Sequence, residues 1–297
     1  LLSNSNLSGW IPSMYVPHLK GFYLGNNQLD SAGNLDFPKL KNLNLESNDM
    51  MGKLPDFENF PELYTVVLSS NLFSDSLPNF ENNDSLTLVK FDDNQLTGQV
   101  PSFDSLVRLT ELDLSYNQLS GTIPDFALDS LVVLNLANNQ LSGTVPLLDN
   151  CFHLRRLYLQ YNDLTGALPD FTSDTLRNLH IDNNQISDIT GVLGLSKLRV
   201  LYAGNNQLSG VLPDVSSMDS LSILNLELNN FSGPLPGFIE NRRLSNINLA
   251  ANNLSGIVPD FSLPRLKFLN VSSNNFEGTI PAFDSCLLLE RLFVNDN

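Results

Sequence analysis

The chain is poor in the residues that usually carry chemistry. Its 297 residues hold two cysteines, three histidines and one tryptophan. Positive charge is scarce too: 16 Lys and Arg face 32 Asp and Glu, for a net charge of −16. That balance argues against nucleic acid and against anionic membrane surfaces as partners. No stretch approaches the ~18 consecutive apolar residues of a membrane-spanning helix, so no membrane insertion is expected of this segment. No signal peptide is evident. There is no Ser-His-Asp order, zinc-ligand spacing, phosphate loop, nucleotide fingerprint or calcium loop. The expectation is a protein that is not an enzyme, with no cofactor and no metal. Asp92, Asp113 and Asp182 could mimic a carboxylate pair on rigid strands, but nothing suggests the apolar surroundings that would raise one pKa.

What the chain does have is period. Asn27, Asn48, Asn71, Asn94, Asn117, Asn139, Asn162, Asn184, Asn206, Asn229, Asn252, Asn274 and Asn297 follow one another at gaps of 21 to 23 residues, and Ser5 holds the equivalent place in a first unit. A Leu stands eight residues before each of these Asn, and apolar residues stand five and three before, as at Leu157 and Leu159. The L-x-L stretch alternates, which makes a short strand with one face buried. The recurrent pattern L-x-x-L-x-L-x-x-N-x-L at such a period marks a leucine-rich-repeat solenoid. The expected fold is therefore an α/β-type superhelix made mostly of strand and 3-10 segments, with little or no regular α-helix. A parallel sheet should line the concave face, with strands ~4.8 Å apart. The Asn has a physical role where the chain leaves the strand: its amide offers two donors and an acceptor on one short stem, able to bridge the turns of neighbouring coils. Eight phenylalanines share a second place, two after a Pro: Phe57, Phe80, Phe103, Phe126, Phe171, Phe238, Phe261 and Phe283. Repeated once per coil, they should stack into a spine.

Most units continue as L-x-G-x-[IVL]-P, as in Asn117-Gln118-Leu119-Ser120-Gly121-Thr122-Ile123-Pro124. Gly allows a backbone closed to other residues, and Pro fixes an extended angle. This pattern resembles the plant-type leucine-rich-repeat family of receptor kinases, receptor-like proteins and polygalacturonase inhibitors, and the resemblance covers essentially the whole chain. Two departures stand out. The unit length is shorter than the family's, with a D-F element after the Pro. The unit Asn184-Gln185-Ile186-Ser187-Asp188-Ile189-Thr190 lacks the Gly and Pro and looks like internalin-type repeats. Residues 1–297 are expected to form a single continuous solenoid of about 13–14 units. Neither end looks like a polar cap, so a fragment of a longer protein is expected.

Cys151 and Cys286 both stand twelve after a ladder Asn, six coils apart, so roughly 29 Å separates them and no mutual disulfide is expected. Asn6, Asn83, Asn230, Asn253 and Asn270 open N-x-[ST] sequons and are candidate glycosylation sites in an extracellular or cell-surface protein.

Candidate ligand contacts come from the strand columns that face outward. Tyrosine concentrates there, and Tyr158, His180 and Tyr202 fall on successive rungs. Tyr offers broad contact area with a polar tip, which suits interfaces. With Asp92, Asp113, Tyr116, Gln160, Tyr161 and Asp182 they form the expected concave patch. Arg155, Arg177 and Arg199 make a basic stripe beside it, which could pair with Asp on adjacent turns or dock a carboxylate-rich partner. The sequence thus points to a recognition module for a protein, peptide or glycan. Its rivals are a structural segment of an extracellular wall, sheath or filament that self-associates, and, by resemblance alone, an inhibitor of a secreted enzyme.

Overall fold

The computed structural model describes residues 2–297, as two compact units. Of the described residues, unit 1 comprises 2–142 with 150–154, and unit 2 comprises 143–149 with 155–297. Each is a leucine-rich-repeat solenoid of three-residue strands, all parallel. Unit 1 stacks Gly21–Tyr23, Asn42–Asn44, Thr65–Val67, Leu88–Lys90, Glu111–Asp113 and Val133–Asn135. Unit 2 stacks Arg156–Tyr158, Asn178–His180, Val200–Tyr202, Ile223–Asn225, Asn246–Asn248, Phe268–Asn270 and Arg291–Phe293. Register is without offset: Leu157 faces Leu179, Leu201 and then Leu224 on successive rungs. The middle residue of these strands is buried in nearly every coil, while its neighbours are half-buried or exposed. The only helices among the described residues are two 3-10 turns, Phe57–Asn59 and Thr190–Val192.

The ladder Asn bridges coils as expected. Asn117 accepts the Leu96 N–H of the preceding coil at 2.9 Å and donates to the Phe91 carbonyl there at 3.0 Å, and to Leu114 and Ser115 of its own turn at 3.1 Å. The residue before each ladder Asn adopts a left-handed backbone, with φ between 51° and 56° from Asn26 to Asp296. The recurrent Gly takes positive φ as well, 82° at Gly121. Unit length is written into a third such place. Phe80, Phe103, Leu148, Phe238 and Phe283 have φ between 46° and 56°, and each lies in a 23-residue coil. Phe126, Phe171 and Phe261, in 22-residue coils, do not. In those five coils the extra residue is absorbed by one left-handed turn at this place, whereas Phe57 and Val215, also in 23-residue coils, lack it, and Phe57 opens a 3-10 turn instead.

The aromatic spine is real but segmented. In unit 1, ring centroids of Phe57 and Phe80 lie 4.8 Å apart, and those of Phe80 and Phe103 5.9 Å. In unit 2, Phe238, Phe261 and Phe283 follow at 5.9 and 6.3 Å. A further column sits twelve after the ladder. Asn83 and Asn241 are 1% exposed and donate to carbonyls of the previous coil, Phe57 at 3.3 Å and Val215 at 2.8 Å. The two cysteines share this place and this role. The Cys151 thiol donates to the Phe126 carbonyl at 3.5 Å and Cys286 to Phe261 at 3.1 Å. Both thiols are free, buried and pushed up in pKa by that burial, which makes them poor nucleophiles.

The L-x-G stretches form a second, lateral run of strands. In unit 2, Gln185–Asp188 ends one such sheet, and Ser209–Val211 begins another of four strands. The break falls at the unit that lacks Gly and Pro. There Asp188 caps the Thr190 N–H at 2.7 Å and the chain turns into the 3-10 segment, leaving a surface cavity of about 280 Å³ lined by Asp188, Ile189, Ser209 and Phe231. Gly191 is obligatory in this turn, because an added Cβ would lie 2.2 Å from the Pro169 carbonyl oxygen.

Candidate functional site

The outer face of the main sheet is set by alternation. Residues six, four and two before the ladder point away from the core, so on the first rung of unit 2 Arg156, Tyr158 and Gln160 share one face. Across rungs, strand register places Tyr158 beside His180 and His180 beside Tyr202. The three rings are in contact, with centroids 4.9 and 4.7 Å apart and interplanar angles of 64° and 38°. Burial between the two tyrosines lowers the His180 pKa, so the imidazole is neutral at neutral pH. Two residues on, desolvation raises the Asp182 carboxyl, against a hydrogen bond from Asn183 at 2.9 Å. Gln160 Oε1 is shielded from solvent and has no hydrogen-bond partner among the described residues.

Arg155, Arg177 and Arg199 run along the strand entrance. Each backbone N–H after the first donates to the preceding arginine's carbonyl, at 2.9 Å for Arg177 and 2.8 Å for Arg199. Lys267 stands in the same column, seven before its ladder Asn, and among the described residues of that column it alone shows the pairing with an acid on an adjacent turn, 3.6 Å from Glu290. None of Arg155, Arg156, Arg177 and Arg199 is in an ion pair among the described residues.

The unit 1 candidates are engaged internally. Asp113 accepts from the Ser115 N–H at 3.1 Å, the Ser115 hydroxyl at 2.7 Å and Asn135 at 3.0 Å. Asp92 accepts from the Ser69 hydroxyl at 2.5 Å, and desolvation raises its carboxyl. Lys90 bridges to Glu111 at 2.7 Å. Tyr116 in unit 1 and Tyr161 in unit 2 are not on strands. They occupy the left-handed position at the strand exit and stand 60% and 53% exposed.

Further along unit 2 lies a depression of about 260 Å³, lined by Tyr202, Asn225, Asn246, Asn248, Phe268 and Arg291. The Arg291 guanidinium sits 5.1 Å from the Phe268 ring centre. Sequence reading overlooked this region because single Asn and Phe residues in a repeat rich in both carry no signal. Of the sequons, Asn6, Asn230 and Asn253 are exposed and Asn270 is half-buried. Asn83 is corrected: it is buried, with its amide donated to Phe57 and Phe60, so no glycan can be carried there in the folded chain.

Models of leucine-rich repeats match residues 107–150, and again residues 153–174 and 265–287. No curated protein matches the chain. Among solved structures, a TDR receptor superposes with a TM-score of 0.83 at 28% identity, over 94% of this chain and 56% of that one. The leucine-rich-repeat ectodomain of the Arabidopsis receptor kinase HAESA, in complex with an IDA peptide hormone ligand, superposes at 0.70 and 28% identity, over 98% of this chain and 60% of that one. A plant ice-binding protein superposes at 0.65 and 26% identity, over 77% and 80%. The chain thus spans little more than half the length of the two receptors, and the same coil serves proteins with different ligands.

Proposed function

We propose that this chain, a leucine-rich-repeat solenoid of the plant type, is the recognition module of a cell-surface or secreted protein, holding a ligand on the outer face of unit 2 rather than catalysing a reaction. The carrying observation is the stack of Tyr158, His180 and Tyr202, in contact at 4.9 and 4.7 Å beside arginines without ion-pair partners. Aromatic side chains and arginine dominate the energetics of protein interfaces, and a rigid strand holds them at low entropic cost. Structural likeness to receptor ectodomains, one of them in complex with a peptide hormone, supports the same reading. Exposed sequons at Asn230 and Asn253 support an extracellular setting.

The experiment presents the full chain to a display library of short random peptides and to an oligosaccharide array. Replacing Tyr158 and Tyr202 together by Ala should leave folding intact and abolish the ligand found. Binding that survives the double substitution would remove this face from the reading. Glycopeptide mapping at Asn230 and Asn253 tests the location. The structural rival draws on exposed apolar side chains of the lateral strands, Val211 at 66% and Ile257 at 65%. It expects large particles in light scattering, where the recognition module expects a monodisperse solution.

A further inference from the structure

A backbone detail of the main sheet suggests what kind of ligand the site takes. Two residues past each strand end, an N–H points out of the turn and needs an acceptor. In unit 2, Asn225, Asn248 and Asn270 supply it from within: their carboxamide oxygens accept from the N–H of Glu227 at 3.1 Å, Ala250 at 3.4 Å and Ser272 at 3.1 Å. Unit 1 repeats the device with Asn44 and Asn135, and with a carboxylate at Asp113. The position is thus a slot for an oxygen. Tyrosine has no oxygen at that reach. On the Tyr158 and Tyr202 rungs the slot N–H groups, those of Gln160 and Gly204, have no partner among the described residues. On the rung between them, Asp182 turns its own carboxylate onto its amide.

Three neighbouring facts decide what would fill these slots. Gln160 Oε1 is shielded from solvent, so what a ligand meets at these slots is the backbone donors. Asp182 lies on the middle rung, so an anion placed at every rung would be repelled there, whereas neutral carbonyls alternating with N–H groups would not. His180 is flanked by a tyrosine ring on each side, at interplanar angles of 64° and 38°, which makes its imidazole a poor platform for a sugar ring. Negative charge on the ligand belongs at the other end of the strands, where the guanidinium groups stand unpaired and can take carboxylates in a forked geometry.

We propose that the ligand is an acidic peptide segment whose main-chain carbonyls fill the N–H slots of Gln160 and Gly204 and whose Asp or Glu side chains engage Arg155, Arg177 and Arg199. This rests on the reading of unit 2 as the recognition face. The test selects from short random peptides displayed on phage against the full chain, with an array of neutral and acidic oligosaccharides run in parallel. Selected peptides should be rich in Asp and Glu. Tyr202→Asn, which supplies the slot oxygen from within as Asn225 does, should weaken them about tenfold, the scale of one lost hydrogen bond. Tyr202→Phe, which keeps the slot open, should leave affinity within about threefold, as expected where only a peripheral hydroxyl is removed. Arg177→Glu with Arg199→Glu should abolish binding without lowering the melting temperature. Peptides indifferent to Tyr202→Asn, or selected without acidic residues, would overturn the proposal. So would oligosaccharides that bind this face when no peptide does, and in that case the recognition reading stands. If nothing from either source responds to Tyr158→Ala with Tyr202→Ala, the recognition reading itself fails.

Discussion

Within one sheet of unit 2, Tyr158, His180 and Tyr202 hold the same place in their coils that Asn225, Asn248 and Asn270 hold three rungs on. Register, strand length and buried leucines are alike on both sides. The difference lies in one side chain per coil. The amide rungs close their own backbone: Asn225 and Asn248 also share Glu227, whose carboxylate accepts from them at 3.2 and 2.6 Å. The Tyr158 and Tyr202 rungs leave N–H donors open and bring rings to the surface in place of a cap. A solenoid can therefore convert structure into recognition without altering its fold, by withdrawing an internal cap. Two coils that do so, on either side of a rung whose Asp182 carboxylate closes its own amide, make a patch.

The largest effect should be one that does not distinguish the two regions. Asn184 serves the aromatic rungs and Asn252 the amide rungs, and each accepts one N–H and donates to three carbonyls across two coils. Replacing either by Ala strands those groups at a buried turn, at a cost of about 3 kcal/mol. Urea titration should show equal losses at the two sites. A much smaller loss at Asn184 would mean that the aromatic region is already loosened, and that its open groups reflect disorder rather than a binding face.

Removing the cap itself should have the next largest effect. Asn225→Ala opens the Glu227 N–H to solvent and should cost about 1 kcal/mol, in the range of lost caps elsewhere. Tyr202→Asn creates such a cap at Gly204 and should leave the melting temperature unchanged or raised. Thermal melts of the two variants settle the comparison, because a strong loss in Tyr202→Asn would show that the ring stack holds the coil together.

Much of this was legible in the chain, for reasons that differ by level. Ladder and strand recur in every coil, and Gly and Pro in most, so each is stated many times over and the fold is over-determined. Adjacency of Tyr158, His180 and Tyr202 also followed from the period alone. The cap did not. Nothing in a single Asn225 tells whether its oxygen faces solvent or the N–H two residues on, and the slot appears only when backbone angles at the strand exit are known. The roles of Asn83 and the two cysteines were hidden likewise, since a sequon or a thiol in sequence says nothing about the carbonyl it meets. Asp113 looked like a ligand contact and is an internal cap, for the same reason.

Acid should separate the regions in a graded way. The folded pKa of His180 lies below its unfolded value near 6.5. Its neutral form is the one the fold favours, so stability is fully present above that unfolded value and is lost as pH falls through it. Asp182 acts in the opposite sense, since its raised carboxyl gains stability as it is protonated. The His180 contribution should therefore weaken the chain as pH falls through 6.5, and His180→Asn, which turns this rung into an amide rung, should remove that limb of the stability curve. A limb that persists in the variant would assign it to another group.

The smallest predicted effect on stability is at the arginines. Lys267 has a partner in Glu290, and at 53% and 63% exposure the pair contributes at most ~1 kcal/mol. Arg177 has none among the described residues, so Arg177→Ala should alter the unfolding midpoint less than Lys267→Ala does, within the ±0.5 kcal/mol of an ordinary surface change. Long-range attraction to a chain of net charge −16 adds a little, and added salt should erase it beyond the ~10 Å Debye length of 0.1 M solution. A cost well above 1 kcal/mol would give the stripe a structural duty that the geometry does not show. A negligible one leaves three aligned guanidinium groups that the fold does not need, beside rungs whose own caps have been withdrawn.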